Sequence, residues 1–186
     1  MKRLFDIIFS VFFLVMTLPL MVLAAIAIKL ESKGPVLFIS IRVGLNNKDF
    51  KMLKLRTMFD GIEVVESSKI KEANKKITIV GKILRKYSID EIPQFLSAII
   101  GKMSIVGPRP ALRSQKEIIM ERGKLGINKI KPGITGLAQV NGRDQITTNQ
   151  KLFFDYEYLK NYNFFYDLKI IFKTVLLVLK RKNISH

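Results

Sequence analysis

Two adjacent acidic residues, Asp90 and Glu91, follow a basic stretch that contains Arg85 and Lys86. Pro93 comes next, and proline is well tolerated in the first turn of a helix, so the sequence predicts two carboxylates at a helix amino terminus. The helix dipole and cationic neighbours both favour the ionised form of such carboxylates. An ionised carboxylate can act as a nucleophile, and an adjacent one can hold Mg²⁺. The pair is therefore a candidate catalytic site.

The same stretch also has a purely structural interpretation. Ser88 with Glu91 three residues later matches a capping box, in which Glu91 only caps a helix. Pro93 fits the first helical position better than the fifth position that this box would give it. On the second interpretation the helix begins near Pro93, and both acids lie just before it. An Asp-Glu pair taken alone is a weak sign of catalysis, because helix starts are often acidic.

Two further stretches carry groups that suit phosphate binding. Gly107-Pro108-Arg109-Pro110 is a rigid turn that fixes one arginine, a residue suited to bidentate phosphate contacts. An exposed basic turn is the alternative. Residues 131–143 include three glycines, which let backbone N–H groups approach an anion closely. This run could form a phosphate or nucleotide cradle, although it matches neither a Walker loop nor a dinucleotide fingerprint.

The composition excludes several kinds of active site. The chain has no Cys, and its only His is His186, the last residue. Thiol chemistry, a Ser-His-Asp triad and a His-rich zinc site are therefore not expected. Carboxylates, hydroxyls, Lys, Arg and a hard metal ion remain. The 186 residues suit one domain, and the formal charge of +17 predicts attraction to nucleic acid, anionic lipid or a phosphorylated substrate.

Residues 7–28 form an apolar segment without a charged residue. The segment is long enough to span a bilayer, which needs about 20 residues, and too long for a typical signal-peptide core. Pro19 near its middle predicts a bend. Basic residues flank both ends, which favours both ends on the cytoplasmic side. A helix that enters the membrane, bends at Pro19 and returns satisfies both observations, and a kinked spanning helix remains the alternative.

The remaining chain predicts the elements that position the candidate residues. Residues 36–41 and 50–55 are predicted strands joined by a turn, and residues 60–76 are a predicted exposed loop. Residues 77–87 have helical spacing with a cationic face. Residues 164–180 form a predicted amphipathic helix, which either lies in the membrane interface or packs on the core.

In this order the segments resemble the bacterial sugar transferase family, the small monotopic phosphoglycosyl transferases that start surface glycan assembly. The resemblance covers essentially the whole chain, and its motifs are specific in combination although each alone is not. The chain resembles the minimal catalytic unit of that family. The matching stretches are Lys2-Arg3-Leu4-Phe5-Asp6, Gly34-Pro35-Val36-Leu37-Phe38, Arg42-Val43-Gly44, Lys54-Leu55-Arg56-Thr57-Met58, residues 84–94, residues 103–110 and the run that ends at Arg143.

The resemblance implies a ping-pong reaction between a UDP-sugar and undecaprenyl phosphate. Asp90 is expected to attack the phosphate attached to the sugar, releasing UMP and forming a phosphosugar-aspartyl intermediate, which undecaprenyl phosphate then attacks. Asp90 and Glu91 are the expected catalytic and Mg²⁺-binding residues. The expected phosphate-binding residues are Arg56, Arg85 and Arg109, and the expected nucleotide or sugar contacts are Gln139, Asn141 and Arg143. Asp167 matches a recurring acidic position for which no role is assigned.

The resemblance also implies the architecture and the setting. We expect an α/β, helix-rich, compact monotopic membrane domain: a re-entrant helix over 1–31 that breaks at Pro19, and a catalytic domain over 32–186 with a short β-hairpin and interfacial amphipathic helices. The expected location is the cytoplasmic face of the bacterial cytoplasmic membrane, in contact with membrane lipid. The expected pathway is capsule, O-antigen or glycoprotein glycan synthesis. A homodimer is compatible with the sequence, and nucleic acid is not an expected partner.

Two other functions stay open on the residues alone. A membrane-anchored basic protein that binds nucleic acid would explain the charge and the apolar segment, although the chain has no recognised nucleic-acid-binding motif. A Mg²⁺-dependent phosphohydrolase would use the same carboxylates with water as the acceptor. Dependence of turnover on polyprenyl phosphate separates the transferase from the hydrolase.

Overall fold

The computed structural model describes residues 2–60, 76–142 and 145–180. Of the loop predicted at residues 60–76, residues 61–75 lie outside this part of the chain. Short 3₁₀ turns occur at Leu45–Asn47, Ile89–Glu91 and Ile127–Lys129. The helices and strands in chain order are α1 (Lys2–Glu31), β1 (Leu37–Val43), β2 (Asp49–Leu55), α2 (Ile79–Lys86), α3 (Gln94–Ile99), β3 (Ser104–Val106), α4 (Lys116–Lys124), β4 (Gly133–Thr135), α5 (Leu137–Val140), α6 (Thr148–Asn161) and α7 (Phe164–Lys180).

Helix α1 contains the predicted apolar segment and extends beyond it at both ends. Its 30 residues make it the one helix in the described ranges that is long and apolar enough to cross a membrane. The helix continues through Pro19 without a non-helical segment, so the predicted break is not a gap in the helix. A bend at Pro19 and a return to the same side of the membrane stay predictions. One face of α1 is buried against the other elements at Asp6, Ser10, Ala24 and Ile28.

Both ends of α1 are fixed to the rest of the protein by polar contacts. At its start, Lys2 forms an ion pair with Asp167 on α7, and the Tyr158 hydroxyl donates to the same carboxylate at 2.7 Å. Asp6 accepts hydrogen bonds from the Ser104 hydroxyl at 2.8 Å and from a backbone N–H of β3. At its end, Glu31 accepts from the first backbone N–H groups of α2. Asp167, which has no role assigned from the sequence, thus anchors the start of α1.

Strands β1 and β2 form the predicted antiparallel hairpin, with Leu37 opposite Leu55 and Val43 opposite Asp49. Two adjacent asparagines in the connecting turn, Asn46 and Asn47, adopt positive φ angles of 52° and 58°. Asparagine tolerates this left-handed region better than most residues, which explains how a turn without glycine at these positions closes the hairpin. The predicted helix over residues 77–87 is confirmed as α2.

Strands β3 and β4 form a short parallel pair that the sequence did not predict, with Ser104 opposite Gly133 and Val106 opposite Thr135. The glycines of the predicted cradle explain this close approach. A Cβ on Gly133 would lie 2.1 Å from the Gly107 nitrogen, and a Cβ on Gly136 would lie 2.1 Å from the Gly107 oxygen. Only glycine fits where two backbones approach so closely. These two glycines therefore support the turn that carries Arg109.

Helix α7 contacts the protein through one narrow face. Its buried residues are Asp167 and Ile170, and Ile170 belongs to a hydrophobic core with Phe95, Ile105, Val106 and Tyr158, against which Phe5, Phe9 and Phe13 of α1 pack. Most of the predicted apolar face is exposed, up to 71% at Leu179. The alternative in which this face packs on the core is therefore wrong for most of its residues, and the exposure favours the interfacial alternative.

Candidate active site

The local chain path brings the two acids to a buried corner at the end of α2. Ser88 adopts a left-handed conformation (φ 55°, ψ 22°) directly after this helix and makes no capping hydrogen bond through its side chain. Asp90 and Glu91 then occupy a single 3₁₀ turn, and α3 begins at Gln94 after Pro93. The capping-box interpretation is therefore wrong, and the interpretation in which both acids precede a helix that begins near Pro93 is confirmed. Both acids are buried, with 6% and 8% of their surfaces exposed.

A lysine and an arginine bind the acidic pair directly. The Lys54 ammonium on β2 lies 2.7 Å from Oε1 of Glu91 and 3.5 Å from Oδ2 of Asp90. The Arg109 guanidinium donates to the same Glu91 oxygen at 2.9 Å. Glu91 thus accepts two short charge-assisted hydrogen bonds, whereas the described cation nearest to Asp90 is the more distant Lys54. The two carboxylates therefore have different electrostatic surroundings although they are adjacent in sequence.

The pKa values of the surrounding groups follow from burial and charge. Burial raises the pKa of Asp90, and the negative charge of Glu91 adds to this rise, whereas Lys54, Arg85 and Arg109 oppose it. Burial also lowers the pKa of Arg85, against the attraction of Asp90. These three cations are therefore within electrostatic reach of the two acids.

Arg42 on β1 belongs to the same cluster. Burial and repulsion by Arg109 lower the pKa of Arg42 to about 10, and the charge of Glu91 opposes this shift. With Lys54, Arg85 and Arg109, Arg42 makes four cations around the two carboxylates of the acidic pair. The surplus positive charge suits a ligand that carries phosphate groups.

The three arginines predicted to bind phosphate do not all lie at the acidic pair. Arg85 and Arg109 lie with the acidic pair. Arg56 instead donates hydrogen bonds to the Ser32 and Lys33 carbonyl oxygens, both at 2.7 Å, and to the Ser32 hydroxyl at 2.9 Å. Its described contacts therefore hold the loop after α1. A phosphate-binding role for Arg56 stays a prediction without support from these contacts.

The three predicted polar residues after β4 also have different positions. Gln139 is buried and lines a cavity together with Glu91 and Arg109, and its side-chain oxygen has no hydrogen-bond partner among the described residues. Asn141 is exposed and donates to the Leu137 carbonyl oxygen at 2.8 Å. Arg143 lies outside the described residues. Of the two that the structure describes, Gln139 lies at the site and Asn141 does not line the cavity.

A buried ion pair positions the turn that carries Arg109. Arg122 on α4 donates to the Arg109 carbonyl oxygen at 2.9 Å, and it binds Oδ2 of Asp155 on α6 through two hydrogen bonds of 2.6 and 3.0 Å. Burial raises the pKa of Asp155, and Arg122 opposes this shift. The prolines on either side of Arg109 further restrict its backbone. Sequence reasoning missed Arg122 and Asp155, because they are brought together only by the packing of separate helices.

Lys54 and Arg42 are functional candidates to which sequence reasoning gave no role, although a signal for Lys54 was present. Side chains two residues apart in a strand share a face, so Lys54 lies on the same face as the buried Phe50 and Met52. Antiparallel pairing places Arg42 opposite Phe50, on that same face. A cation on the core face of a hairpin needs a partner, which here is the acidic pair.

A cavity of about 360 Å³ lies beside Glu91, Arg109 and Gln139. These residues, with Tyr87 and Ser88, form most of its polar wall. The remaining wall is largely apolar and comes mainly from α1 and α7. One cavity thus joins a charged site to an apolar space.

The acidic pair can supply two of the ligands of the Mg²⁺ that is predicted from the sequence. Among the described residues no group of three or more His, Cys, Asp or Glu side chains could hold a metal ion. Mg²⁺ in phosphoryl-transfer sites is usually bound by one or two carboxylates, with substrate phosphates and water as the other ligands. Asp90 and Glu91 can supply those carboxylates.

Comparison with known proteins gives consistent results over the whole chain. Residues 1–181 match the family described as bacterial sugar transferase. The chain is 42% identical to a UDP-glucose:undecaprenyl-phosphate glucose-1-phosphate transferase of Klebsiella pneumoniae, over 94% of this chain and 39% of that protein. It is 38% identical to a UDP-N-acetylgalactosamine-undecaprenyl-phosphate N-acetylgalactosaminephosphotransferase of Aeromonas hydrophila, over 96% of this chain and 43% of that protein. It is also 38% identical to the uncharacterized sugar transferase EpsL of Bacillus subtilis, over 100% of this chain and 90% of that protein.

Proposed function

Since the chain belongs to the bacterial sugar transferase family, we propose that it transfers a sugar phosphate from a UDP-sugar to undecaprenyl phosphate and releases UMP. The observation that carries this proposal is the buried acidic pair surrounded by four cations, at the polar wall of an otherwise apolar cavity. The names of the Klebsiella and Aeromonas relatives support this donor class and this acceptor. Those two names specify different sugars, so the sugar is left open.

Asp90 is the proposed nucleophile, because Glu91 is the more strongly neutralised acid. Glu91 is bound by Lys54 and Arg109 at 2.7 and 2.9 Å, whereas Asp90 has Lys54 at 3.5 Å. In the first step an oxygen of Asp90 attacks the phosphorus atom that carries the sugar. The bond from this phosphorus to the bridging oxygen breaks, and UMP leaves with the electron pair. The sugar phosphate is then attached to the Asp90 carboxylate.

In the second step a phosphate oxygen of the acceptor attacks the same phosphorus atom. The bond between phosphorus and the Asp90 oxygen breaks, which regenerates the carboxylate and gives a lipid diphosphate sugar. Lys54, Arg85 and Arg109 would neutralise phosphate charge and keep Asp90 ionised against the effect of burial. Phosphoryl transfer mainly needs such positioning and charge neutralisation, so a site without His or Cys is adequate.

Asp90 and Glu91 would also hold Mg²⁺, which neutralises phosphate charge when it is bound. The rest of the site would orient the substrates. Arg109, with its backbone fixed by Arg122, is the proposed contact for a phosphate group, since Arg109 lines the cavity. The unpartnered oxygen of Gln139 could accept a hydrogen bond from a sugar hydroxyl.

The proposed location is the cytoplasmic face of the bacterial cytoplasmic membrane. Helix α1 is long and apolar enough to enter a bilayer, and the net charge of +17 favours contact with anionic lipid headgroups. A site at this boundary is accessible both to a soluble nucleotide sugar and to a lipid phosphate. The glycan made from the product is capsule, O-antigen or glycoprotein glycan in this proposal.

The proposal is tested by incubating the purified protein with a panel of radiolabelled UDP-sugars, Mg²⁺ and undecaprenyl phosphate. We expect label to enter the lipid extract for at least one sugar, only when the acceptor is present, and to be lost on chelation of the metal. Asp90→Asn should lower this transfer by about a thousandfold or more, the size seen when a nucleophile is removed.

The matched control is Asp49→Asn, because Asp49 is an exposed aspartate on β2 that pairs with Arg113. This variant should retain wild-type transfer. Release of water-soluble sugar phosphate without acceptor would indicate a phosphohydrolase instead. No transfer from any UDP-sugar by folded protein would contradict the proposed donor class.

A further inference from the structure

A groove between α1 and α7 continues from the polar wall of the cavity. Its α1 wall includes Phe9, Phe13 and Leu20, and its α7 wall includes Ile171, Val175 and Val178. Within each helix these residues are spaced by three, four or seven positions, so each helix presents one face to the groove. The walls extend about 16 Å along α1 and about 10 Å along α7, at 1.5 Å of rise per residue.

The two helices that line the groove also have apolar outer surfaces. On α1 the exposed residues include Phe12, Val15 and Met16, and on α7 they include Phe165 and Phe172. Several large apolar side chains exposed on neighbouring helices mark contact with a membrane or a partner. Phe5 at the start of α1, the candidate membrane helix, packs edge-on against Phe164 of α7, so the apolar surfaces of the two helices begin side by side.

We propose that this groove binds the first isoprene units of the acceptor lipid and so delivers its phosphate to Arg109 and the acidic pair. The inference rests on the proposed function and names the place on this chain where the acceptor lies. The occupant follows from the shape and charge of the groove. An apolar channel that ends at cations suits a molecule with an apolar chain and an anionic head, whereas a UDP-sugar has no apolar chain.

The size of the cavity limits how much of the lipid it can hold. Its volume of about 360 Å³ is more than twice the roughly 150 Å³ of an apolar cavity that holds one benzene molecule. Roughly two five-carbon isoprene units therefore fit. The rest of the lipid chain would remain in the bilayer.

The first test uses two neighbouring leucines of α7. Leu177 lines the groove, whereas Leu176 is absent from its wall and lies on the exposed face. Leu177→Trp should fill part of the groove and lower kcat/KM for undecaprenyl phosphate by roughly tenfold or more, as overpacking of one site does. Its KM for the UDP-sugar should stay within about twofold of wild type, and Leu176→Trp should resemble wild type for both substrates.

The results separate this inference from the proposed function. If the wild-type protein transfers no sugar phosphate to lipid, the proposed function fails. If the wild-type protein is active and Leu177→Trp is indistinguishable from Leu176→Trp, or if both variants lose acceptor kinetics equally, the groove is not the acceptor site.

A second measurement does not depend on a variant that folds. A polyprenyl phosphate that carries a photoreactive group on its first isoprene unit should label wild-type peptides from residues 9–20 of α1 and 171–179 of α7. Excess undecaprenyl phosphate should suppress this labelling, and phosphatidylglycerol should not. Labelling confined to other peptides would overturn the inference. Equal suppression by phosphatidylglycerol would also overturn it, because it would show that the groove contacts lipid in general.

Discussion

Replacement of Lys54 by methionine removes the cation that lies between the two acids. The Lys54 ammonium is 3.5 Å from Asp90 and 2.7 Å from Glu91, and only 17% of its side chain is exposed. Burial and the charge of Glu91 both raise the pKa of Asp90, so loss of Lys54 raises this pKa further. A protonated Asp90 is not a nucleophile. The activity of Lys54→Met should therefore be lowest in acid and should recover partly as the pH rises.

The size of the effect follows from the geometry. Two unit charges 3.5 Å apart interact by about 4.7 kcal/mol at an effective dielectric constant of 20. Arg85 and Arg109 remain to offset part of this loss, so we expect a cost of about 2–3 kcal/mol near neutral pH. That cost corresponds to a roughly 30- to 150-fold lower kcat/KM for the UDP-sugar. Lys54→Arg should retain more of the activity, because it keeps the charge.

The assay is UMP release as a function of pH, compared with Lys51→Met as the control. Lys51 lies on the same strand with its side chain exposed on the opposite face, so its replacement removes one charge without touching the acids. The acidic limb of the profile should move to higher pH only in Lys54→Met. A Lys54→Met profile that keeps the wild-type midpoint, or a rate within threefold of wild type, would refute the role given to Lys54.

Three further predictions concern the turn that carries Arg109 and the anchoring of α1. Arg109→Lys should lower kcat/KM for the UDP-sugar by about 10- to 100-fold, because lysine lacks the bidentate geometry of arginine. Arg113→Lys, which changes an exposed ion pair, should have little effect in the same UMP-release assay. Gly136→Ala should destabilise the protein by about 1–3 kcal/mol, because its Cβ would lie 2.1 Å from the Gly107 oxygen. Thermal unfolding should therefore show a lower Tm. Gly123→Ala, whose Cβ would meet no atom nearer than 4.0 Å, should be neutral or stabilising. Asp155→Asn should cost about 3 kcal/mol, because it leaves Arg122 buried without its anion, and unchanged thermal unfolding would contradict this.

The local elements could be predicted well because their residue patterns are local. The apolar segment is visible as a long uncharged run and the hairpin as two short stretches joined by turn residues, whereas the helices over 77–87 and 164–180 show apolar residues at helical spacing. The parallel pair β3–β4 was missed because each strand has only three residues, too few for an alternation to be visible. Gly133 and Gly136, which were interpreted as part of a possible anion cradle, allow Gly107 to approach, and a role in anion binding stays a prediction.

The site was predicted in part, for a physical reason. Asp90, Glu91 and Arg109 belong to short motifs whose chemistry is visible in sequence, and the structure brings these three together. Lys54 and Arg42 reach the acids through the pairing of a distant hairpin, and Arg122 reaches Arg109 through the packing of α4 and α6. Contacts of this kind depend on tertiary structure, so residue type and spacing do not reveal them. Arg56 shows the converse, since an arginine in a matching motif holds a loop.

The central claim is that Asp90 forms a covalent bond to the transferred sugar phosphate. The most direct test mixes the protein with Mg²⁺ and an active UDP-sugar without lipid acceptor, traps the reaction and measures the mass of the peptide that contains Asp90. We predict one equivalent of UMP and a mass increase of one sugar phosphate on that peptide, removed when undecaprenyl phosphate is added and absent in Asp90→Asn. Robust transfer to lipid by the wild-type protein, with no adduct under trapping conditions, would contradict the claim and indicate direct transfer between the two substrates.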